Sequence, residues 1–460
     1  MNKTACIVLA AGDGKRMKSI KPKVLMEVLF KPMLGWVLDS VEKLSPDEIC
    51  VIVGNGEDKI SAYLEERGGK YTLVRQTVRS GTGHAVMQAE NVLKKCENVL
   101  ILCGDAPFMD EETLRAALKI HLDNNCGVTA ITATPDNPTG YGRIVRDENG
   151  DLLKIVEQKD ATAEEQQIKE INSGAYWFNS EALLEALPKL SNDNASKEYY
   201  LTDAVAIIKE SGRRAAVCTA AHNAIALGAN TRSDLNALNG FARMAVIGAL
   251  LANGVEFPCF DGIIIGNDVA IGRDTVILPN TIIRGKTSIG HGCEIGPNSV
   301  IENSVIGDGV VMNNVQANRS TVDSGAKIGP FAQLRPGTHI KNDVKIGNFV
   351  EVKNSDIGAR TSIAHLTYIG DSDVGEGVNF GCGCVTANYD GVNKFRTKIG
   401  DNAFIGCNTN LIAPVEVGEN AATGAGSTIS KNVPPDSLVV ERAELKVVQN
   451  WEKNKIRKKR

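Results

Sequence analysis

Isoleucine recurs at every sixth residue from Ile265 to Ile301, through Ile271, Ile277, Ile283, Ile289 and Ile295. Gly266, Gly272, Gly290 and Gly296 each follow one of them. The register slips and resumes at Val322, Ile328, Leu334, Ile340, Ile346 and Val352. It slips again to Ile357, Ile363 and Ile369, then to Val374 and Phe380, and closes with Ile399, Ile405, Leu411, Val417, Thr423 and Ile429. Neither a helix nor an ordinary strand can hold that spacing, because their side-chain periods are about 3.6 and 2. A parallel β-helix can: each apolar residue points into a narrow prism and the small residue after it turns the corner. Each coil then touches only its neighbours, so the stack is stiff and one-dimensional. Residues 383–398 fall out of phase and are expected to bulge from the prism as a loop, the usual seat of function on a rigid scaffold.

The first half reads differently. β-Branched runs at Ala5–Ala10, Ile49–Val53, Tyr71–Gln76, Val99–Cys103 and Val128–Thr132 alternate with helical patterns such as Thr82–Lys95 and Glu111–Leu122. Such alternation implies a Rossmann-like α/β domain with an open, mostly parallel sheet, which binds ligands beyond the carboxyl ends of its strands. Arg143–Arg146 and Leu152–Val156 flank Asp147-Glu148-Asn149-Gly150, a hairpin signal. From Asn230 apolar residues recur at helical spacing until Asn253-Gly254. The expected organisation is therefore an α/β domain over 1–229, a connecting helix over 230–253, and a β-helix with a tail over 254–460.

Chemistry in the first half centres on Leu9-Ala10-Ala11-Gly12-Asp13-Gly14-Lys15-Arg16-Met17, directly after the first strand. Its glycines admit a ligand close to the backbone, its amides can cradle phosphate, and Arg16 and Lys23 can neutralise it. It fits neither the GxxxxGK[ST] nor the GxGxxG pattern, and alone reads equally as a plain turn. Asp105 stands at a second strand end, suited to hold Mg²⁺ beside substrate phosphates, although an aspartate before Pro107 also suits a turn. Asn230 can serve a metal or cap the helix that follows, and can do both only if another group makes the cap.

Over residues 4–235 these stretches resemble the nucleotide-sugar pyrophosphorylases: LAAGxGxRM, then Lys21-Pro22-Lys23, Lys31-Pro32-Met33, Gln76, Gly81-Thr82-Gly83-His84-Ala85, Gly140-Tyr141-Gly142-Arg143-Ile144 and Glu170-Ile171-Asn172-Ser173-Gly174. Together they look like the uridylyltransferase half of a bifunctional bacterial enzyme family. That resemblance implies that Leu9, Ala10, Ala11, Gly12, Cys103, Gln76, Gly81 and Thr82 hold UTP, the last three reading uracil. Arg16 and Lys23 would act on phosphate, while Gly140, Glu157, Asn172, Tyr200 and Thr202 would line the sugar pocket. Asp105 and Asn230 would hold Mg²⁺. Lys15 and Met26 depart from the pattern, where threonine and histidine are common.

Residues 262–430 resemble the left-handed β-helix acyltransferases, through FAQLRPG (331–337), GNFVEVK (347–353), HLTYIGD (365–371) and Ala387-Asn388-Tyr389-Asp390-Gly391 with Lys394. Handedness comes from the resemblance; the spacing leaves it open. A histidine near a coil corner is by itself an ordinary surface residue. His365 lies two positions past the inward Ile363, outside the core, and an imidazole titrating near neutrality suits removal of a proton from an amine. Arg335 and Lys353 stand eighteen residues apart, one coil if each turn has three sides, and could stack into a cationic slot for phosphate or be two solvated charges. The resemblance implies glucosamine 1-phosphate at Arg335, Lys353, Tyr368, Asn379 and Lys394, with His365 as base. It implies acetyl-CoA at Cys382, Asn388, Tyr389, Cys407, Ala425 and Arg442. Cys407 departs from a usual serine, and otherwise reads as a small wall residue.

The expected activity is thus bifunctional. Acetyl transfer from acetyl-CoA to glucosamine 1-phosphate gives N-acetylglucosamine 1-phosphate, and uridylyl transfer from UTP gives UDP-N-acetylglucosamine, a precursor of peptidoglycan and other envelope polymers. A homotrimer is implied, with clefts shared between neighbouring β-helices. The competing expectations are a monofunctional pyrophosphorylase whose β-helix only assembles or regulates, a non-enzymatic scaffold, and a carbonic anhydrase. The last fails because His291, His339 and His365 are too dispersed to share zinc. A net charge of −4, with 23% charged and 43% hydrophobic residues, suggests neither a nucleic-acid nor a membrane partner. Eleven cysteines without a CxxC pair fit a reducing cytoplasm. No leader and no apolar run of membrane-spanning length is expected, and the basic tail to Arg460 reads as solvated.

Overall fold

The structure, a computed structural model, describes residues 3–451; the tail cluster of Lys453, Lys455, Arg457, Lys458, Lys459 and Arg460 lies outside the described residues. The chain divides into two compact units, 1–242 and 243–460.

The first unit is built on a sheet of β1 (Thr4–Ala10), β2 (Glu48–Val53), β3 (Thr72–Arg75), β4 (Asn98–Cys103), β5 (Cys126–Ala133), β6 (Arg143–Arg146), β7 (Leu152–Val156), β8 (Ile171–Asn179) and β9 (Arg214–Thr219). Its order is β9-β5-β8-β4-β1-β2-β3, with the β6–β7 hairpin joined to β8. β1 pairs in parallel with β2 and β4, so the chain after β1 and after β4 emerges at the same edge. The sheet is not wholly parallel: β8 runs antiparallel to both β4 and β5. Its apolar alternation is broken by a bulge between Asn172 and Ala175, which conceals the strand in the sequence. The run expected as one helix over Thr82–Lys95 is two, Thr82–Met87 and Glu90–Leu93.

One helix, Arg232–Ala252, contains the division between the units. Leu235, Leu238, Ala242, Ile247 and Leu250 are its buried residues at helical spacing. By length and composition it would suffice to cross a membrane, which corrects the expectation that no stretch approaches that span. Its Ile247 and Leu250 belong to the core of the second unit, where Arg243 Nε also donates to the Ile263 carbonyl at 2.7 Å.

The second unit is a prism of three parallel sheets with ten, nine and ten strands. Ile265 pairs with Ile283 and Ile283 with Ile301, eighteen residues to the coil. Ile301 then pairs with Ala317 after sixteen, and Ala317 with Leu334 after seventeen. These shortened coils are the physical source of the register slips. Ile265, Ile277, Ile283, Ile295 and Ile301 are all at most 1% exposed, and each such burial contributes about 1.5–3 kcal/mol. At the corner between the two ten-stranded sheets, one column of residues adopts left-handed backbone: Asn280, Asn298 and Asn314, then Phe331, Phe349 and Leu366. Asparagine tolerates that conformation, and its amides form a ladder, Asn280 to Asn298 and Asn298 to Asn314, each at 3.2 Å. Phe331 and Phe349 instead stack as exposed rings, 5.4 Å apart and 9° from parallel.

The out-of-phase segment is narrower than expected. Val385–Ala387 and Thr397–Ile399 remain strands of the prism, and the insertion is 388–396. Thr386 pairs with Leu411 after twenty-five residues, seven beyond a full coil. Because coils support only their neighbours, Ile301→Ala is expected to cost about 2–5 kcal/mol. Hydrogen exchange should then show amide protection falling most in the coils flanking residue 301, with the α/β unit unchanged.

Candidate active sites

In the first unit, the glycine-rich loop after β1 lies against Lys23. Gly14 has φ 58°, and a Cβ there would sit 2.8 Å from the Cβ of Lys23, so this close approach needs glycine on both counts. Lys23 opens a short 3₁₀ turn whose next residues, Val24 and Leu25, are buried, which fixes its direction. Its ammonium pairs with the Asp105 carboxylate just past β4 and donates to Asn230 Oδ1 at 2.7 Å. Asn230 is free to do this because it does not cap the helix that follows. Thr231 Oγ1 accepts from the Asp234 amide at 3.2 Å, and Asp234 Oδ2 accepts from the amides of Thr231 and Asn230 at 2.8 Å. That reciprocal capping box releases the asparagine side chain.

Lys23 and Asp105, though not Asn230, line a cavity of about 550 Å³ that also brings together Leu9, Ala11, Gly12, Gln76, Gly81, Thr82 and Cys103. Gln76 is 5% exposed, and its amide donates to the Gly81 carbonyl at 3.1 Å. Gly81 has φ 106°, and any Cβ would strike the Tyr199 carbonyl at 2.5 Å. Thr82 Oγ1 accepts from the Leu201 amide at 3.1 Å. Burial pushes the Cys103 thiol up to about 12, so it meets the cavity neutral. A neighbouring cavity of about 410 Å³ gathers Glu157, Tyr200 and Thr202 with Asp160 and Asp203. Ala10, Gly140 and Asn172 are outside both linings, the last engaged with the Tyr176 hydroxyl at 2.6 Å. Arg16 is exposed and also outside them. Sequence reasoning missed Arg79, which lines the larger of these two cavities and pairs with Asp13 of the glycine-rich loop. An acidic residue in a phosphate-type loop calls for a cation nearby, and that was the available signal.

In the second unit, parallel register turns sequence spacing into columns. Leu334 pairs with Val352, which sets Arg335 beside Lys353 on one sheet. Tyr368 pairs with Glu351 one coil further. Arg335 Nη1 bonds Glu351 Oε1 at 2.7 Å, and Lys353 Nζ lies 3.3 Å from Asp371 Oδ2. Lys394, on the insertion, comes to the same place, and contact with the Lys353 ammonium holds its own below the usual range. The three cations therefore share one locus. On the adjacent sheet His365 is exposed and pairs with Asn348. The pairings of Ile363 with Phe380, Phe380 with Ile405 and Ile405 with Thr423 extend its column through Cys382, Cys407 and Ala425. Asn379 lies on that sheet too, three residues before Cys382. Asn388 opens the insertion and bonds Asp371, while Tyr389, 59% exposed, donates to the Gly391 carbonyl at 2.6 Å. Arg442 reaches the last coils, where a Cβ at Gly424 would lie 3.0 Å from its Nη2. The imidazole column and the cation column flank the corner that carries Phe331, Phe349 and Leu366.

These features define a two-part transferase: a nucleotide-binding α/β sheet and an acyltransferase-type hexapeptide prism. The nucleotidyl transferase family matches residues 5–224, and the bacterial transferase hexapeptide repeat matches 268–303 and 396–431. Similar proteins named Bifunctional protein GlmU occur in Halalkalibacterium halodurans (46% identical, covering 96% of this chain and 97% of that protein) and in Caldanaerobacter subterraneus (46%, all of both). A third, from Clostridioides difficile, is 43% identical over 98% of each. The chain belongs to the bifunctional GlmU family. Its prism is the left-handed β-helix of the hexapeptide transferases, and the chain carries both activities, uridylyl transfer and acetyl transfer, for synthesis of UDP-N-acetylglucosamine; the monofunctional alternative falls.

Burial holds the Glu157 carboxyl above its ordinary value; the Thr202 hydroxyl at 3.1 Å opposes this, and Asp203, Asp160 and Glu198 add to it. The folded state then binds the more protons, so stability falls as pH rises from the ordinary carboxyl range through the raised value. Glu157→Gln is expected to remove that decline, read as a melting temperature of the α/β unit that no longer drops across this window.

Proposed function

We propose that the two activities use the two clusters above, one in each unit. The observation that carries this reading is that each unit gathers its own cations: Lys23 with Arg79 in the lining of one cavity, and Arg335 with Lys353 and Lys394 at one locus of the prism.

In the uridylyl reaction, the phosphate of N-acetylglucosamine 1-phosphate attacks the α-phosphorus of UTP in line and pyrophosphate leaves. The attacking oxygen is already anionic at neutral pH, so alignment and charge neutralisation are what the chain must supply. Gln76, Gly81 and Thr82 hold the uracil end, and Leu9, Ala11, Gly12 and Cys103 line the approach to the phosphates, with Ala10 buried at the end of the strand. Lys23, with Arg16 from the outer side of the loop, meets the developing charge. Gly140, Glu157, Asn172, Tyr200 and Thr202 orient the sugar. Asp105 and Asn230 suit Mg²⁺: both present hard oxygen donors to one cationic point, where the Lys23 ammonium stands. Among the described residues no group of three or more His, Cys, Asp and Glu side chains could hold a metal, which suits an ion completed by substrate phosphates and water. When bound, Mg²⁺ supplies Lewis-acid neutralisation of phosphate oxygens.

In the acetyl reaction, Arg335, Lys353 and Lys394 bind the phosphate of glucosamine 1-phosphate, with Tyr368 and Asn379 on the sugar. His365 takes a proton from the amine as it attacks the thioester carbonyl, and coenzyme A leaves. The column of Cys382, Cys407 and Ala425, with Asn388, Tyr389 and Arg442, lies along acetyl-CoA. Transfer is direct, with no acyl-cysteine at Cys407. The exposed ridge of Phe331, Phe349 and Leu366 separates the two columns and supports a homotrimer in which a neighbouring prism covers it and completes the cleft. Eleven unpaired thiols support a cytoplasmic setting, and the product feeds peptidoglycan and hence cell shape.

Asp105→Ala is expected to lose uridylyl transfer by about 100-fold or more with acetyl transfer intact. His365→Ala is expected to lose acetyl transfer by about 10²–10⁴-fold with uridylyl transfer intact. Separate assays of the two reactions on each variant check this; retention of both activities by both variants overturns the assignment.

A further inference from the structure

The cations of the second site are like charges brought together, and something must hold them there. Lys353 and Lys394 are close enough that each perturbs the other. Glu351 is committed to Arg335 at 2.7 Å. The carboxylate at the lysines is Asp371, which is 5% exposed. Its Oδ1 accepts from Asn354 Nδ2 at 2.5 Å, and its Oδ2 accepts from Asn388 Nδ2 and lies 3.3 Å from Lys353 Nζ. Those donors and the Lys353 ammonium hold its carboxyl below the usual range against the cost of burial.

Its backbone extends the same pattern. The Asp371 amide donates to the Lys353 carbonyl at 3.0 Å, and the Thr397 amide donates to the Asp371 carbonyl at 3.1 Å. Asp371 therefore grips the coil below through Lys353 and both ends of the 388–396 insertion, through Asn388 at its start and Thr397 at its exit. Between these ends, the Phe395 amide returns to the Asn388 carbonyl at 2.9 Å and closes the base of the insertion. A buried carboxylate satisfied by three side chains is a high-stakes group, because each partner it loses leaves a desolvated polar atom.

We propose that Asp371 is the positioning residue of the acetyl-transfer site: its carboxylate holds the phosphate-binding Lys353 and the coenzyme-facing Asn388 in one geometry without touching either substrate. This rests on the reading of that site as the acetyltransferase. Asp371 makes the placement of Lys394 tolerable by supplying the countercharge, and it ties the sugar-phosphate side of the site to the coenzyme side. One change at Asp371 therefore acts on both substrates, whereas a change at Lys353 acts mainly on the phosphate.

The test uses the full chain with Asp371→Asn, which keeps the side-chain shape, and Lys353→Met, singly and together. The expected result for Asp371→Asn is a KM raised about tenfold or more for both glucosamine 1-phosphate and acetyl-CoA, with uridylyl transfer unchanged. Lys353→Met should raise the KM of the sugar phosphate alone, and the double variant should show less than the product of the two single effects on that KM. Trypsin should cut Asp371→Asn faster at Lys394 or Arg396, as the insertion loses its anchor. Unchanged KM values for both substrates, or effects of Asp371 and Lys353 that multiply independently, overturn the proposal. His365→Ala serves as the control for the site itself: if it keeps full acetyl transfer, the reading of the site fails and the inference with it, whereas loss there beside an unaffected Asp371→Asn defeats the inference alone.

Discussion

Inward packing of one aliphatic side chain per prism side is the constraint from which the second unit follows. Isoleucine, valine and leucine at the inward positions exclude water along the whole axis, and the backbone then pairs coil upon coil in parallel register. Such packing has no tolerance for drift: a residue that turns inward at the wrong step would bury a polar side chain without a partner. Once register is locked, residues one coil apart become spatial neighbours. Arg335 and Lys353 meet for this reason, and so do His365 and Cys382. The chemistry of the prism is written in columns, and its insertion is tolerated where it leaves the columns intact, between Ala387 and Thr397.

That explains which parts were legible. The six-residue period is a direct imprint of the prism, so its sides, the inward set and the pairing of Arg335 with Lys353 could be read from spacing. The slips showed in the sequence as missing beats, but their cause, coils shortened to sixteen or seventeen residues, did not. The insertion was read too wide because Val385–Ala387 carries Thr386 rather than an aliphatic residue inward, and because the series was taken to resume only at Ile399, the last residue of its strand. In the α/β unit, continuous apolar strands such as β1 and β4 stood out, while β8 was hidden by its bulge and β9 by its alanines. Residues in a strong local motif could be assigned expected roles by resemblance. Arg79 and Asp371 were not, since neither acts through its sequence neighbours: Arg79 answers Asp13, and Asp371 answers Lys353, Asn354 and Asn388.

Asn230 shows how a single residue's role depends on what its neighbours relinquish. A helix start needs acceptors for its first amides, and Asn230 is a good candidate by type. Thr231 and Asp234 satisfy that need between them, which leaves the Asn230 amide oxygen pointing at Lys23. The cap and the cation-facing oxygen are thus adjacent residues with separate duties, and substituting Thr231 would disturb the second through the first.

The two sites also treat cations differently. In the α/β unit, one ammonium lies between a carboxylate and an amide oxygen. On the proposed reading, a phosphate bound there would draw Lys23 from Asp105 and take up its charge. In the prism the cations are collected first, with Asp371 and Glu351 as their countercharge, so on the proposed reading a bound phosphate would relieve repulsion already present. Arg335 exchanging Glu351 for phosphate would be the counterpart of Lys23 exchanging Asp105. Both units hold cations on protein carboxylates, and on that reading the anionic substrate would redistribute them.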